Sequence, residues 1–264
     1  MGSAFTAISD NADAPFWNPA GLSRNKYEHT ITTMQTRLST DANHYYLSYV
    51  RPALGGSFGI SWIQLSLGQI QQTGPTLEAF NEVHDLGIFS YFSDAYLLSY
   101  GLNITDSLAV GLTGKYLTSN MQGIPGGQGS GYSVTPGILF TPNKELTIGA
   151  KLDEAVNRQN WRTGTTETVP PKLRVGIAAK IPWAQLTLSA DITQVIRSTY
   201  RPESVFGAEW TPIDALSIRL GSTPQGLTGG IGFRKGHAEV DYAYVQQTAL
   251  SRDNVHRISL TGRW

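Results

Sequence analysis

The residues that most often do chemistry are sparse in this chain and poorly spaced for it. The five histidines are His29, His44, His84, His237 and His256, and none stands at a metal-ligand spacing from another. His84-Asp85 is the one adjacent acid–base pair, but the sequence places no serine nucleophile beside it. The run Gly123-Ile124-Pro125-Gly126-Gly127-Gln128-Gly129-Ser130-Gly131 has the composition of a phosphate loop. Such a loop needs a following helix whose N-terminus faces the anion, and here a Tyr/Val strand pattern follows, so the run reads as a surface loop. With 0 cysteines there is no thiolate chemistry. The chain reads as non-enzymatic, with no cofactor and no metal.

Ionic side chains are placed more systematically. Lys115, Lys151, Asp153, Arg174, Asp191, Glu209, Arg219, Arg234, Glu239, Asp241, Arg257 and Arg263 all fall on the polar side of alternating segments. Both signs are present, so opposite charges can pair if these sides face a common interior. The expected network contains Lys151, Arg174, Asp191, Arg219, Glu239, Asp241 and Arg257. The formal net charge is +0, with no basic stripe, which argues against nucleic acid as a partner.

The elements that must position these groups are strands. From residue 28 onward, apolar residues recur with period 2. Leu146, Ile148, Ala150 and Leu152 oppose Thr147, Gly149, Lys151 and Asp153; Leu186, Leu188, Ala190 and Ile192 oppose Thr187, Ser189 and Asp191. About fourteen such segments are counted, near 28–39, 43–51, 56–67, 93–103, 107–119, 131–141, 144–153, 171–181, 184–195, 203–211, 214–221, 226–235, 237–246 and 253–264. Connections alternate between tight turns, with Pro52, Pro142, Pro182 and Pro212 in them, and longer loops, of which 68–92 is the longest. In that loop Thr76 is placed to cap a short helix carrying Leu77, Phe80 and Val83, and the loop is expected to fold over the mouth or dock a partner. An even strand number with short turns on one rim is the plan of a bacterial outer-membrane barrel.

Alternation alone does not separate a soluble barrel from a membrane one. Three features do. Charged residues make up 15% of the chain against roughly 25% in soluble domains, and an Arg or Lys turned toward mid-bilayer lipid would cost about 2–4 kcal/mol, so the ionic faces are expected inside. Aromatics (Trp62, Tyr96, Tyr100, Tyr116, Trp183, Trp210, Tyr242, Tyr244, Trp264) cluster near strand ends, as in headgroup girdles. The last strand alternates Ile258 and Leu260 with Arg257, Ser259 and Thr261 and closes on Trp264, which reads as a signal for barrel-assembly machinery. The lipid bilayer is thus the first partner expected. Because the chain opens on the small, polar Met1-Gly2-Ser3-Ala4, an export leader is expected to have been removed.

Residues 1–27 do not alternate. Asp10 is placed to cap a helical turn and Asn18-Pro19 to break it. The segment reads as a plug for the periplasmic mouth, separate from the barrel of 28–264. Its run Asp13-Ala14-Pro15-Phe16-Trp17-Asn18-Pro19-Ala20-Gly21-Leu22 closely resembles the N-terminal signature of PorV/PorQ-like proteins and of their relatives, the FadL-type transporters. The run Gly87–Tyr100 is similar to the fourth PorV-type strand, and the Thr-Pro turns at 141–142 and 211–212 with Leu-x-Ile following add to the likeness. The resemblance implies an all-β, transmembrane antiparallel barrel of fourteen strands. Its short N-terminal hatch carries Phe16, Trp17, Asn18, Pro19 and Ala20. FadL-type members pass hydrophobic molecules along an apolar route with a lateral opening; PorV-type members are partners in type IX secretion. The chain is shorter than FadL-type members, with a reduced hatch and trimmed loops, which favours the PorV-like side: a binding or shuttle partner in type IX-like secretion or an envelope assembly, with protein partners. The alternative is transport of a hydrophobic solute.

Overall fold

A computed structural model describes residues 1–38, 42–77, 83–248 and 254–264. The strands are β1 (Thr30–Arg37), β2 (Ala42–Ala53), β3 (Gly56–Leu77), β4 (Val83–Asn103), β5 (Leu108–Gln122), β6 (Gln128–Phe140), β7 (Leu146–Asp153), β8 (Val156–Trp161), β9 (Thr166–Glu167), β10 (Lys172–Ile181), β11 (Leu186–Val195), β12 (Glu203–Ile213), β13 (Leu216–Thr223), β14 (Gly226–Lys235), β15 (Ala238–Val245) and β16 (Val255–Arg263). Neighbours in sequence pair antiparallel, and β1 pairs with β16 from Thr30↔Arg263 to Arg37↔His256, which closes the sheet on itself. β8 continues the line of β7 along β6, and β9 is its short hairpin return. With those two set aside, the barrel has 14 strands. Closure pairs the first and last strands and so removes the open edges of the sheet, which is what makes strands admissible in a medium that cannot hydrogen-bond.

The wall is inverted relative to a soluble protein. Ile177, Leu188, Phe206, Leu220, Ile258 and Leu260 stand exposed on the outside, while Thr113, Thr147, Lys151, Ser189, Asp191, Glu239 and Thr261 are buried inside. Across β3 to β6 the register sets Trp62, Tyr96, Tyr116 and Tyr132 side by side on the outer face. At the short-turn rim, His29 stacks on Trp264 and Tyr49 with ring centroids 5.4 and 5.9 Å apart. His29 and Trp264 also exchange backbone hydrogen bonds of 2.8 and 3.0 Å, fastening the end of the chain to the residue before β1.

Several expectations shift. Residues 68–77 and 83–92 are strand rather than loop or helix, because β3 runs to Leu77 and β4 starts at Val83. Their pairing continues past Leu67↔Tyr91 as a two-stranded ribbon projecting beyond β2 and β5, with an irregularity at Gln69 (φ 55). Phe80 lies outside the described residues. Pro212 sits inside β12, at the register shift between Trp210 and Ile213, where its missing N–H breaks no ladder bond. Pro52 likewise lies within β2, near its short-turn end. The helical turn of the N-terminal segment is α1 (Ala14–Trp17), which starts after Asp13 rather than Asp10 and receives no side-chain cap.

Candidate functional site

The lumen is occupied by the N-terminal segment, and the inner wall is shaped to receive it. Gly101, Gly111 and Gly137 face one another across β4, β5 and β6, as do Gly149 and Gly176 across β7 and β10, and Gly207 and Gly221 across β12 and β13. A Cβ at Gly101, Gly111, Gly137 or Gly149 would overlap atoms of Pro19, Ala20, Asn18 or Thr6, so these positions need the smallest side chain for the two backbones to approach. The 28 glycines of the chain are therefore partly explained from inside the barrel.

Polar groups complete the docking. Asn18, fully buried, donates from Nδ2 to the Thr6 and Ile138 carbonyls at 3.0 and 3.1 Å and accepts from the Ala20 N–H at 3.2 Å. That last bond caps the 3-10 turn Pro19–Arg24. Asp191 Oδ2 accepts from the Phe5 and Thr6 backbone N–H groups at 3.2 and 3.1 Å. Lys151 donates to the Phe16 carbonyl at 2.9 Å, and its ammonium lies 5.5 Å from the Phe16 ring. The Arg174 guanidinium sits 5.5 Å from the Trp17 ring and donates to Thr193. Arg24 donates to the Ile8 carbonyl at 3.0 Å and to Thr141 and Thr147 at 2.8 and 3.2 Å, tying the segment to the short-turn rim.

The expected charge network is thus divided. Lys151, Arg174 and Asp191 hold the N-terminal segment, with Lys151 also paired to Asp153 at 2.9 Å. A second group lies nearer the short-turn rim: Arg219 pairs with Glu209 and Asp241, and lies 3.6 Å from Glu239, which also takes Arg234 and Arg263 at 3.0 and 2.6 Å. Arg257 joins neither, and its buried Nε has no partner among the described residues. The mutual pairing expected of all seven is corrected on this point, because backbone groups of the N-terminal segment supply partners that an empty lumen would lack. This second group lines a chamber of about 900 Å³ together with Asp10, Asp13, Lys180 and residues of the short turns such as Ser107 and Lys144. Burial pushes the Asp13 carboxyl up to about 6, against the Asn11 amide that favours its charged form. Of the terminal-strand residues, Ile258, Leu260 and Trp264 all face outward.

Among the described residues, one wall strand is broken in two. β7 pairs with β6 only from Ile148↔Phe140 to Lys151↔Gly137, and the ladder resumes at Val156↔Val134, so two residues of β7–β8 have no counterpart. Glu154, at the break, is left-handed (φ 56), and its carboxylate takes Lys115 of β5 at 2.8 Å. On the opposite side, β10 pairs with β7 only as far as Lys172↔Asp153. Beyond it come Pro170 and Pro171, one after the other without amide donors. There the Asn157 side chain stands in for the ladder, accepting from the Val169 N–H and donating to its carbonyl, both at 2.7 Å. Arg24, the facing glycines, Glu154 and Asn157 were not singled out from the sequence. The Pro-Pro pair before β10 was the signal available for the last two.

No family profile matches this chain and no curated protein matches it. Solved structures do. The Pseudomonas putida toluene transporter TodX aligns at 11% identity and a TM-score of 0.68, over 96% of this chain and 94% of that one. The Ralstonia pickettii toluene transporter TbuX aligns at 16% and 0.67, over 100% and 98%. A Pseudomonas aeruginosa FadL homologue aligns at 12% and 0.66, over 98% and 96%. The fold is that of the FadL-type barrels. The likeness runs along nearly the whole of each partner, and none of the three is of the PorV/PorQ kind, so the secretion-partner expectation takes no support from them.

Proposed function

We propose that this chain is an outer-membrane barrel that conducts small hydrophobic molecules, received at the long-loop mouth and released sideways through the wall at the broken seventh strand. The observation that carries this reading is the interruption at Asp153–Val156. The strand's pairing to β6 lapses between Lys151 and Ala155, its pairing to β10 stops at Asp153, and beyond that the Asn157 amide side chain bridges the space to Val169. Straight passage to the short-turn side would take an apolar molecule through packed N-terminal backbone and then into an ionic chamber. Neither medium solvates hydrocarbon well, whereas the bilayer outside the wall does. The half-exposed Phe16 ring offers an apolar surface within the otherwise polar lumen. The solved structures of similar fold include two toluene transporters, which supports the same solute class. The short-turn rim then faces the periplasm.

The test is solute accumulation by cells with an intact outer membrane that make this protein. Radiolabelled toluene and a long-chain fatty acid are compared with a disaccharide. At least one apolar solute is expected to enter several-fold faster than in cells with empty vector, with no change for the sugar. Equal rates for all three would reject the reading.

A further inference from the structure

The outer wall carries a polar row that a lipid-facing surface does not need. One step beyond the aromatic row, toward the long loops, the register aligns Gln64, Asp94, Thr118, Ser130 and Asn160 across β3, β4, β5, β6 and β8. Asp94 Oδ1 accepts from Trp62 Nε1 and from Gln64 Nε2, both at 2.9 Å. Asn160 Oδ1 accepts from Thr166 at 2.9 Å and from Arg158 Nε at 3.2 Å. These bonds leave Asp94 Oδ2, the Asn160 amide nitrogen and the hydroxyls of Tyr116 and Tyr132 without partners among the described residues. Directly below the row lies an apolar groove of about 710 Å³ lined by Ile60, Leu98, Gly114, Tyr116, Tyr132 and Val134. Gly114 stands between Leu98 and Val134 in register, and a Cβ there would meet nothing closer than 4.0 Å, so the missing side chain leaves an open slot in the wall.

The geometry points to a binding site for one glycolipid, its acyl chain in the Gly114 slot and an uncharged sugar headgroup on the row from Gln64 to Asn160. The groove is lined mostly by apolar side chains, which suits an acyl chain. The row offers both acceptors (Asp94) and donors (Asn160, Arg158), and sugar hydroxyls are both at once. Tyrosine faces at its lower border suit the apolar side of a sugar ring. A phosphate headgroup offers acceptors only, would meet the Asp94 carboxylate, and calls for several cations. No Lys or Arg occurs between Arg51 and Lys115, so the cations near the row are Arg158 and Arg162 at its β8 end, engaged with Asn160 and Gln128, and none stands near Gln64 or Asp94. The inference rests on the bilayer reading of the barrel and is independent of what passes through the lumen.

The experiment is native mass spectrometry of the detergent-solubilised protein, titrated with monoglucosyl diacylglycerol or with phosphatidylglycerol of the same chains. The glucosyl lipid is expected to bind about tenfold more tightly. Gly114→Leu is expected to lower binding of both lipids, since it fills the slot, and Asp94→Ala with Asn160→Ala only that of the glucosyl lipid. Ala190→Leu on the far wall should change neither. Heat-modifiable migration in gels confirms that each variant is folded. Equal binding of the two lipids, or preference for the glucosyl lipid surviving in the double variant, would overturn the site. Failure of the protein to stay in detergent micelles would instead reject the bilayer reading itself.

Discussion

Asp13 couples the docking of the N-terminal segment to pH. Its carboxyl is pushed up to about 6 by burial, while released into water it would titrate near the ordinary value of 3.8. The docked state is therefore disfavoured by ionisation. The penalty is absent below the released value, grows as pH rises from there to about 6, and is complete above it. Amide exchange of residues 3–22 is expected to be slower at pH 5 than at pH 7.5, after correction for intrinsic rates, and Asp13→Asn is expected to reduce that difference, leaving the part due to Asp10, whose carboxyl burial also pushes up. A variant that keeps the full pH dependence would assign it to another group. Residues of this kind were hard to find in the sequence, because the environment of Asp13 is made by strands far away in the chain. The same holds for Asp191: its polarity and inward face were legible from alternation, but its partners, two amides of a segment 185 and 186 residues earlier, were not. Arg257 shows the converse, since its inward direction was read correctly and its pairing was not.

At the scale of elements, period-2 patterning located all of the wall strands, since one face meets lipid and the other polar atoms along nearly every one. It underestimated the β3–β4 hairpin, because beyond Leu67 the ribbon leaves the wall, both faces meet water, and the alternation that marks a membrane strand stops. It also passed over the break between β7 and β8, which is set by an inserted pair of residues and by the prolines just before β10 rather than by loss of apolar residues. That break is where the proposed exit stands, and Asn157 spans it. Replacing Asn157 and Val169 by cysteine in a chain with 0 native cysteines permits one defined cross-link. Joined by a short thiol-reactive linker, the pair is expected to lower accumulation of the apolar solute at least five-fold, while the unlinked double variant keeps its rate. Unchanged accumulation in the linked protein would exclude release at this position.

For the whole molecule, the question is whether barrel and N-terminal segment depend on each other. The ladder closes through β1 and β16 without any contribution from residues 1–25, and among the described residues pairing runs from strand to strand around the wall apart from the break at β7–β8 and local register shifts in β3–β4 and β12–β13. By contrast, much of the docking of the segment is polar: Asn18, Asp191, Lys151, Arg24 and Ser189 each bond its backbone or are bonded by it. Deleting residues 1–24 would remove Asn18 and Arg24 with the segment and leave the wall groups Asp191, Lys151 and Ser189 facing lumenal water, which replaces a lost partner at a net cost of only about 0.5–1.5 kcal/mol per bond. The wall should therefore persist, while an interior too wide for fourteen strands' side chains to fill would flood. We expect the deletion variant to remain heat-modifiable in gels and to conduct ions in planar bilayers at a level many-fold above the intact protein, whose lumen the segment obstructs. Its apolar-solute transport should lose selectivity, with the disaccharide now entering as well. If the deletion instead abolishes the folded barrel, the segment is part of the folding core, and the facing glycines are then required for assembly rather than for a removable plug.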